Sequence, residues 1–75
     1  MADFAQNIAK RLRALRGDDT QRAFAARLGI THATLNRLEQ GRENITLRTL
    51  QKICDRLGCT AAWLLDDYSD ADQTS

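Results

Sequence analysis

The sequence predicts an all-α fold of five short helices, and three of its features support that prediction. The 75 residues include no proline and few aromatic side chains, a composition that suits short helices better than a β-sandwich. The four glycines stand where helices should end, and threonines stand where the next helices should begin. Between these positions, apolar residues recur at steps of three and four, which places them on one face of a helix.

The first two predicted helices span residues 4–16 and 20–28. The hydroxyl of Thr20 can accept a hydrogen bond from a free backbone N–H at the start of the second helix. Gly17 and Gly29 tolerate the left-handed conformation in which helices commonly end. The predicted apolar stripes comprise Ile8, Leu12 and Leu15 in the first helix, and Phe24, Ala25 and Leu28 in the second.

The other three predicted helices span residues 31–40, 46–57 and 60–66, and each begins at a threonine. Gly41 and Gly58 follow the first two of them, at positions where a helix should stop. Their apolar stripes comprise Leu35 and Leu38 in the third helix, Leu47, Leu50, Ile53, Cys54 and Leu57 in the fourth, and Trp63, Leu64 and Leu65 in the fifth.

The five apolar stripes predict one shared core, because helices of this length are not stable alone in water. We therefore expect a single domain over residues 1–68 and an acidic, flexible tail over residues 69–75. Charge divides along the chain in a related way. Residues 1–65 carry all 11 Lys and Arg and a net charge of +5, whereas residues 66–75 carry four aspartates. A basic domain is typical of proteins with a polyanionic partner.

The segment from Gln21 to Gly41 has the spacing of a helix-turn-helix. A short helix is followed by Gly29, which permits a sharp turn, and Ile30 can be buried beneath that turn. Leu35 and Leu38 anchor the second helix from below, which leaves its opposite face exposed. Such an exposed face is where a recognition helix carries its contacts.

Enzymatic, metal-binding and membrane functions are disfavoured by the residue pattern. The single histidine, His32, belongs to no Ser-His-Asp or Cys-His set, and the sequence contains no phosphate loop and no cluster of metal ligands. We therefore expect no enzyme, no metal and no cofactor. Cys54 and Cys59 are predicted to be reduced thiols in a cytosolic protein. No apolar stretch is long enough to span a bilayer or to form a secretory signal.

The chain from Leu12 to Leu65 resembles the phage-repressor, Cro- and Xre-type helix-turn-helix domains, the lambda-repressor-like family. The resemblance covers about three quarters of the sequence. Its matching residues are, in order, Leu12-Arg13-Ala14-Leu15-Arg16, Thr20-Gln21, Phe24-Ala25, Leu28-Gly29-Ile30-Thr31, Leu35, Leu38-Glu39-Gln40-Gly41, Asn44, Leu47-Arg48-Thr49-Leu50, Leu57-Gly58 and Trp63-Leu64-Leu65.

The resemblance implies a compact five-helix DNA-binding domain and a set of DNA contacts. Gln21 would contact the DNA backbone or a neighbouring recognition residue. Arg37 would either bond both acceptors of a guanine or contact a phosphate. Arg42 would bind phosphate, whereas His32 would contact a base or a phosphate. The predicted DNA-binding residues are Gln21, Thr31, His32, Ala33, Thr34, Asn36, Arg37, Gln40, Arg42 and Asn44.

Two further predictions concern packing. The resemblance implies a structural ion pair between Arg16 and Glu39, joining the first helix to the end of the third. Trp63 is predicted to lie in the core or at a dimer interface, because two leucines follow it. A candidate partner surface is an exposed edge made of Leu64, Leu65 and Tyr68.

These observations predict a sequence-specific transcriptional regulator, acting as a repressor, that contacts the major groove of double-stranded DNA with helix 31–40. One such domain makes few contacts, so we expect a homodimer on two half-sites, joined through the C-terminal helix. The predicted location is the cytoplasm of a bacterium or of a phage-infected cell, at the nucleoid. Two alternatives on the same fold stay open: an antitoxin that binds operator DNA and a toxin, and a protein-interaction module.

Overall fold

The structure is a computed structural model, and it describes residues 3–42 and 44–65. Within those ranges the chain forms five helices: α1 (Phe4–Arg16), α2 (Gln21–Leu28), α3 (His32–Glu39), α4 (Leu47–Leu57) and α5 (Ala61–Leu65). The predicted all-α fold is confirmed, and the helix ends lie within one residue of the predicted ones. Residue 66, Tyr68 and the predicted tail over 69–75 lie outside the described residues.

Side-chain caps explain why four helices begin one residue later than predicted. Thr20, Thr31 and Thr46 have extended backbones, and the hydroxyl of each accepts a hydrogen bond from the N–H three residues on. Thr60 accepts in the same way from the N–H of Trp63, at 3.1 Å. These threonines are therefore caps that precede the first helical residue. Asp3 caps α1 likewise, a role that the sequence analysis did not identify.

Two glycines shape the turns on either side of α3. Gly29 ends α2 with φ of +74°, and the Arg56 guanidinium lies 3.2 Å from where a Cβ would stand. Gly41 has φ of +72°, and the amide of Gln6 lies 2.7 Å from the corresponding position. Gln6 also donates a hydrogen bond to the Gly41 carbonyl, at 3.1 Å. A side chain at either glycine would therefore be both strained and crowded.

The core lies where α2 and α3, the two helices of the helix-turn-helix, pack against α4 and α1. The α5 helix closes the core by packing on α1 and α4. Asn7, buried in α1, donates to the carbonyl of Leu65 at 3.0 Å and so ties α1 to α5. The largest fully buried side chains are Ile8, Leu12, Phe24, Leu28, Leu35, Ile53 and Leu64.

Two leucines of the predicted stripes are exposed, contrary to expectation. Leu47 is 83% exposed and Leu15 is 41% exposed. Leu47 lies in the first turn of α4 and Leu15 lies near the end of α1, whereas the buried residues of both helices lie further inward. Helical spacing sets the direction in which a side chain points, but a neighbouring helix must also reach that far to bury it.

The fifth helix shows the opposite departure. Leu64 is fully buried and Leu65 is half-buried, so the predicted exposed edge through Leu64 is wrong. Trp63 is instead the large apolar residue of this helix that is exposed, at 39%. The buried Arg11 lies over its ring, with the guanidinium carbon 4.2 Å from the ring centroid. The indole therefore covers a buried cation through its π face.

Cys54 and Cys59 are free thiols on either side of the end of α4. Cys54 is buried in the core, and Cys59 packs against it. Burial raises the pKa of the Cys54 thiol to about 11, and the neighbouring Cys59 adds to that effect. Cys54 therefore carries its proton at neutral pH and packs as a small apolar side chain.

Candidate nucleic-acid interface

The α3 helix divides into a buried face and an exposed face. Leu35 and Leu38 are buried, whereas Ala33, Asn36 and Arg37 are exposed. This is the division that the spacing of the apolar residues predicts, because residues three apart share a face. The exposed face offers both hydrogen-bond donors and acceptors, together with a methyl group.

The beginning of α3 is held to the beginning of α2 by a chain of side-chain hydrogen bonds. The Gln21 amide nitrogen donates to Oε1 of Glu39 at 3.0 Å, and its amide oxygen lies 3.1 Å from Nε2 of His32. Arg16 donates to both oxygens of the same carboxylate, from Nε at 2.8 Å and from Nη2 at 2.9 Å. Gln21 and His32 of the predicted set therefore meet directly, and a half-buried ion pair supports them.

Glu39 is the centre of this chain and is an almost fully buried carboxylate, at 4% exposure. Its charge is balanced by Arg16, which is 24% exposed, and the hydrogen bond between them raises the pKa of the Arg16 guanidinium. Arg13 donates to the Glu39 carbonyl as well, which secures the last turn of α3 to α1. The ion pair implied by the family resemblance is present.

The link from Glu39 to Gln21 was not predicted from the sequence. The two residues are 18 positions apart, and they meet only because α2 crosses α3. The sequence carries one partial signal for it. A glutamine at the first position of a helix can donate and accept at once, so it is suited to bridge a carboxylate and an imidazole.

Thr31 and Thr34 form a second small cluster at the start of α3. The hydroxyl of Thr31 accepts from the N–H of Thr34 at 3.1 Å and lies 2.8 Å from its hydroxyl. Both predicted contact residues are therefore positioned by the cap of α3. Thr34 lies about one turn before the exposed Arg37.

The loop after α3 brings a third group of predicted residues together. A cleft of about 160 Å³ separates α3 from the start of α4. Thr34, Arg37 and Asn44 of the predicted set line it, with Leu38, Ile45, Thr46 and Thr49. Thr46 and Thr49 were not in the predicted set, and their hydroxyls lie 3.0 Å apart at the N-terminus of α4. A cap threonine beside a predicted contact loop was the signal available for them.

The remaining predicted residues stand at the surface around these clusters. Ala33, Asn36, Gln40 and Arg42 are exposed. Gln40 ends α3, where its backbone N–H bonds to carbonyls of the last turn. Arg42 follows Gly41 on the way to the cleft that Asn44 lines.

In the described ranges, no group of three or more His, Cys, Asp or Glu side chains is placed to hold a metal ion. None of the helices described is long and apolar enough to cross a membrane.

Comparison with known proteins gives two findings. A helix-turn-helix family model matches residues 10–64. A control protein named C.MunI, from Mycoplasma sp, is 34% identical over 61 residues, which cover 81% of this chain and 82% of that protein. No solved structure matches the chain significantly.

Proposed function

The chain belongs to the phage-repressor and Xre-type helix-turn-helix family of DNA-binding transcriptional regulators, and we propose that it is a sequence-specific repressor contacting the major groove with α3. The observation that carries this proposal is the exposed polar face of α3, backed by buried leucines and held to α2 at its beginning. A regulator of this kind acts in the cytoplasm, at the nucleoid. A bound domain would repress by occupying a promoter.

Each predicted contact residue from Thr31 to Asn44 has a role in this proposal that its position supports. His32, Ala33 and Arg37 contact base edges, because they lie on the exposed face of α3. Arg42 and Asn44 contact phosphates from the loop that leads to α4. The Thr31 hydroxyl already caps α3. Thr31 therefore contacts DNA through its methyl group or through the remaining hydrogen-bonding capacity of the hydroxyl. Thr34, Asn36 and Gln40 supplement these contacts to the backbone of the DNA.

The proposal predicts the result of a DNA titration. Fluorescence anisotropy with mixed genomic fragments, at two salt concentrations, compares the wild type with Arg37→Ala/Arg42→Ala. We expect salt-sensitive binding by the wild type and at least roughly 30-fold weaker binding by the variant, since each of the two lost arginine contacts is worth about 1–3 kcal/mol.

The matched control is Lys10→Ala/Lys52→Ala, which removes the same charge from exposed positions outside the predicted set. This control should stay within about threefold of the wild type, if position rather than total charge decides binding. Equal losses in the two double variants would contradict a contact surface on α3. Absence of binding by folded wild type would shift the assignment to a protein-interaction module or to an antitoxin that needs its partner.

The second part of the proposal is a homodimer, because one domain of this size makes too few DNA contacts for tight binding at cellular salt. An apolar cleft of about 280 Å³ supplies a surface for it. Phe4 and Leu47 line this cleft and are 57% and 83% exposed. The other lining residues are Ala5, Ile8, Asn44, Ile45, Leu50 and Leu65.

The shape of this cleft suits a second copy of the chain. A two-fold interface uses the same surface on both subunits, so it needs a projecting side chain beside a recess. Leu47 is such a projection and the cleft is such a recess. The cleft also shares Asn44 and Ile45 with the cleft that Arg37 lines, so a dimer formed here would set the spacing of two DNA-contacting faces. We place the dimer contact on this cleft rather than on α5 alone, because Leu64 is buried.

Replacing Leu47 with glutamate tests the dimer. Burying a leucine contributes about 1.5–3 kcal/mol, so we expect the dimer dissociation constant to rise at least tenfold in sedimentation equilibrium. Leu15→Glu is the control, since Leu15 is also an exposed leucine but does not line the cleft. A Leu47→Glu dimer as stable as the wild type would exclude the cleft as the interface.

A further inference from the structure

Two hydrogen bonds join Glu39 to His32 through the side chain of Gln21, and their donors and acceptors have a fixed order. Both oxygens of the Glu39 carboxylate accept hydrogen bonds from Arg16, so the carboxylate acts as an acceptor toward Gln21 as well. The Gln21 amide must therefore turn its nitrogen to Glu39 and its oxygen to His32. An amide oxygen accepts, so Nε2 of His32 must carry a hydrogen and donate it. The donor order alone thus assigns the ring nitrogen that bears the proton.

Reversing the order would place two hydrogen-bond acceptors against each other. Arg16 donates to both carboxylate oxygens of Glu39, and this two-point contact holds the carboxylate in one orientation. If the Gln21 amide turned round, its oxygen would face the carboxylate oxygen at a buried position. Two acceptors in contact away from water are unfavourable, so the flipped state is depleted.

We propose that this order makes His32 a specificity-determining residue whose Nδ1 accepts a hydrogen bond from an exocyclic amine of adenine or cytosine. In the neutral ring one nitrogen donates and the other accepts, and Nε2 is already the donor to Gln21. In the part of the chain that the structure describes, the one hydrogen bond of this ring is at Nε2. Nδ1 is therefore left with its lone pair at the exposed start of α3.

The bases differ in the hydrogen-bond donors and acceptors that they present in the major groove. Adenine N6 and cytosine N4 are donors there, whereas guanine N7 and O6 and thymine O4 are acceptors. An accepting Nδ1 bonds the first two and repels the others. The inference rests on the proposed function, because it requires α3 to lie in the major groove. Glu39 and Gln21 then act as positioning residues, and a buried carboxylate that does not touch DNA selects the base.

The first test is nuclear magnetic resonance of the free protein at pH 8. The sequence holds a single histidine, so the ¹⁵N signals of its ring are assigned without ambiguity. We expect one tautomer, with hydrogen on Nε2 and none on Nδ1, in the wild type. In Gln21→Met the partner amide is lost, and the ring signals should move toward an average of the two tautomers. A wild-type ring with hydrogen on Nδ1 would overturn the inference.

The second test uses DNA selected by the wild type from a random duplex pool at pH 8. In the selected duplex, each adenine or cytosine amine is replaced in turn by hydrogen. At one position we expect the wild type to bind roughly fivefold more weakly without the amine, as one neutral hydrogen bond would give. At that position, His32→Phe should bind both duplexes equally.

The ratio of the two affinities is the readout, because Gln21→Met is expected to weaken binding to both duplexes. In that variant the ratio should fall toward one. Failure to select any DNA would refute the proposed function. A selected sequence at which His32→Phe keeps every amine preference of the wild type would refute the inference and leave the proposed function standing.

Discussion

Replacing Leu35 with alanine should lower the free energy of unfolding by about 3 kcal/mol, as large-to-small changes at fully buried leucines do. Leu35 is completely buried, and it joins the recognition helix α3 to the core. The change removes apolar contact and leaves a cavity that the surrounding helices only partly fill. A 75-residue domain has a stability of roughly 4–11 kcal/mol, so a large share of it would be lost.

Urea unfolding followed by circular dichroism measures this loss. Leu15→Ala is the matched control, because it deletes the same atoms from a side chain that is 41% exposed and does not line the proposed dimer cleft. Its free energy of unfolding should change by less than about 1 kcal/mol. Equal midpoints for the two variants would mean that the packing of α3 against the core differs from that in the structure.

Replacing Arg16 with methionine should be the second large change, and it should lower the urea midpoint of unfolding more than replacing Glu39 does. The reason is the charge left behind, because Glu39 is 4% exposed and would lose its cation. Glu39→Met should destabilise less, because the remaining Arg16 is 24% exposed and can be hydrated. The asymmetry follows from which partner is the more buried.

The double variant Arg16→Met/Glu39→Met distinguishes the interaction between the two charges from the cost of leaving one of them unpaired. It should be less destabilised than the sum of the two single variants, because neither buried charge is left unpaired. Chemical unfolding of the four proteins at pH 7 completes the cycle. Additive losses would show that Arg16 and Glu39 do not interact in solution.

The helices and their limits were determined by the sequence itself, because the signals that end a helix are local. A threonine hydroxyl caps the N–H three residues on, and a glycine such as Gly29 adopts a positive φ without strain. These interactions act within one turn, so residue order alone predicts them. The exposed face of α3 followed in the same way from the spacing of Leu35 and Leu38.

Only the tertiary structure decided which of the apolar residues are covered and which polar residues meet. Spacing places Leu47 and Leu50 near one face of α4, yet Leu50 is buried and Leu47 is not, because neighbouring helices do not extend over the first turn. The Gln21 contact to Glu39 joins residues far apart in sequence, and it depends on the crossing of α2 over α3. Periodicity sets a direction around one helix axis, whereas burial and long-range hydrogen bonds depend on where the other helices begin, cross and end.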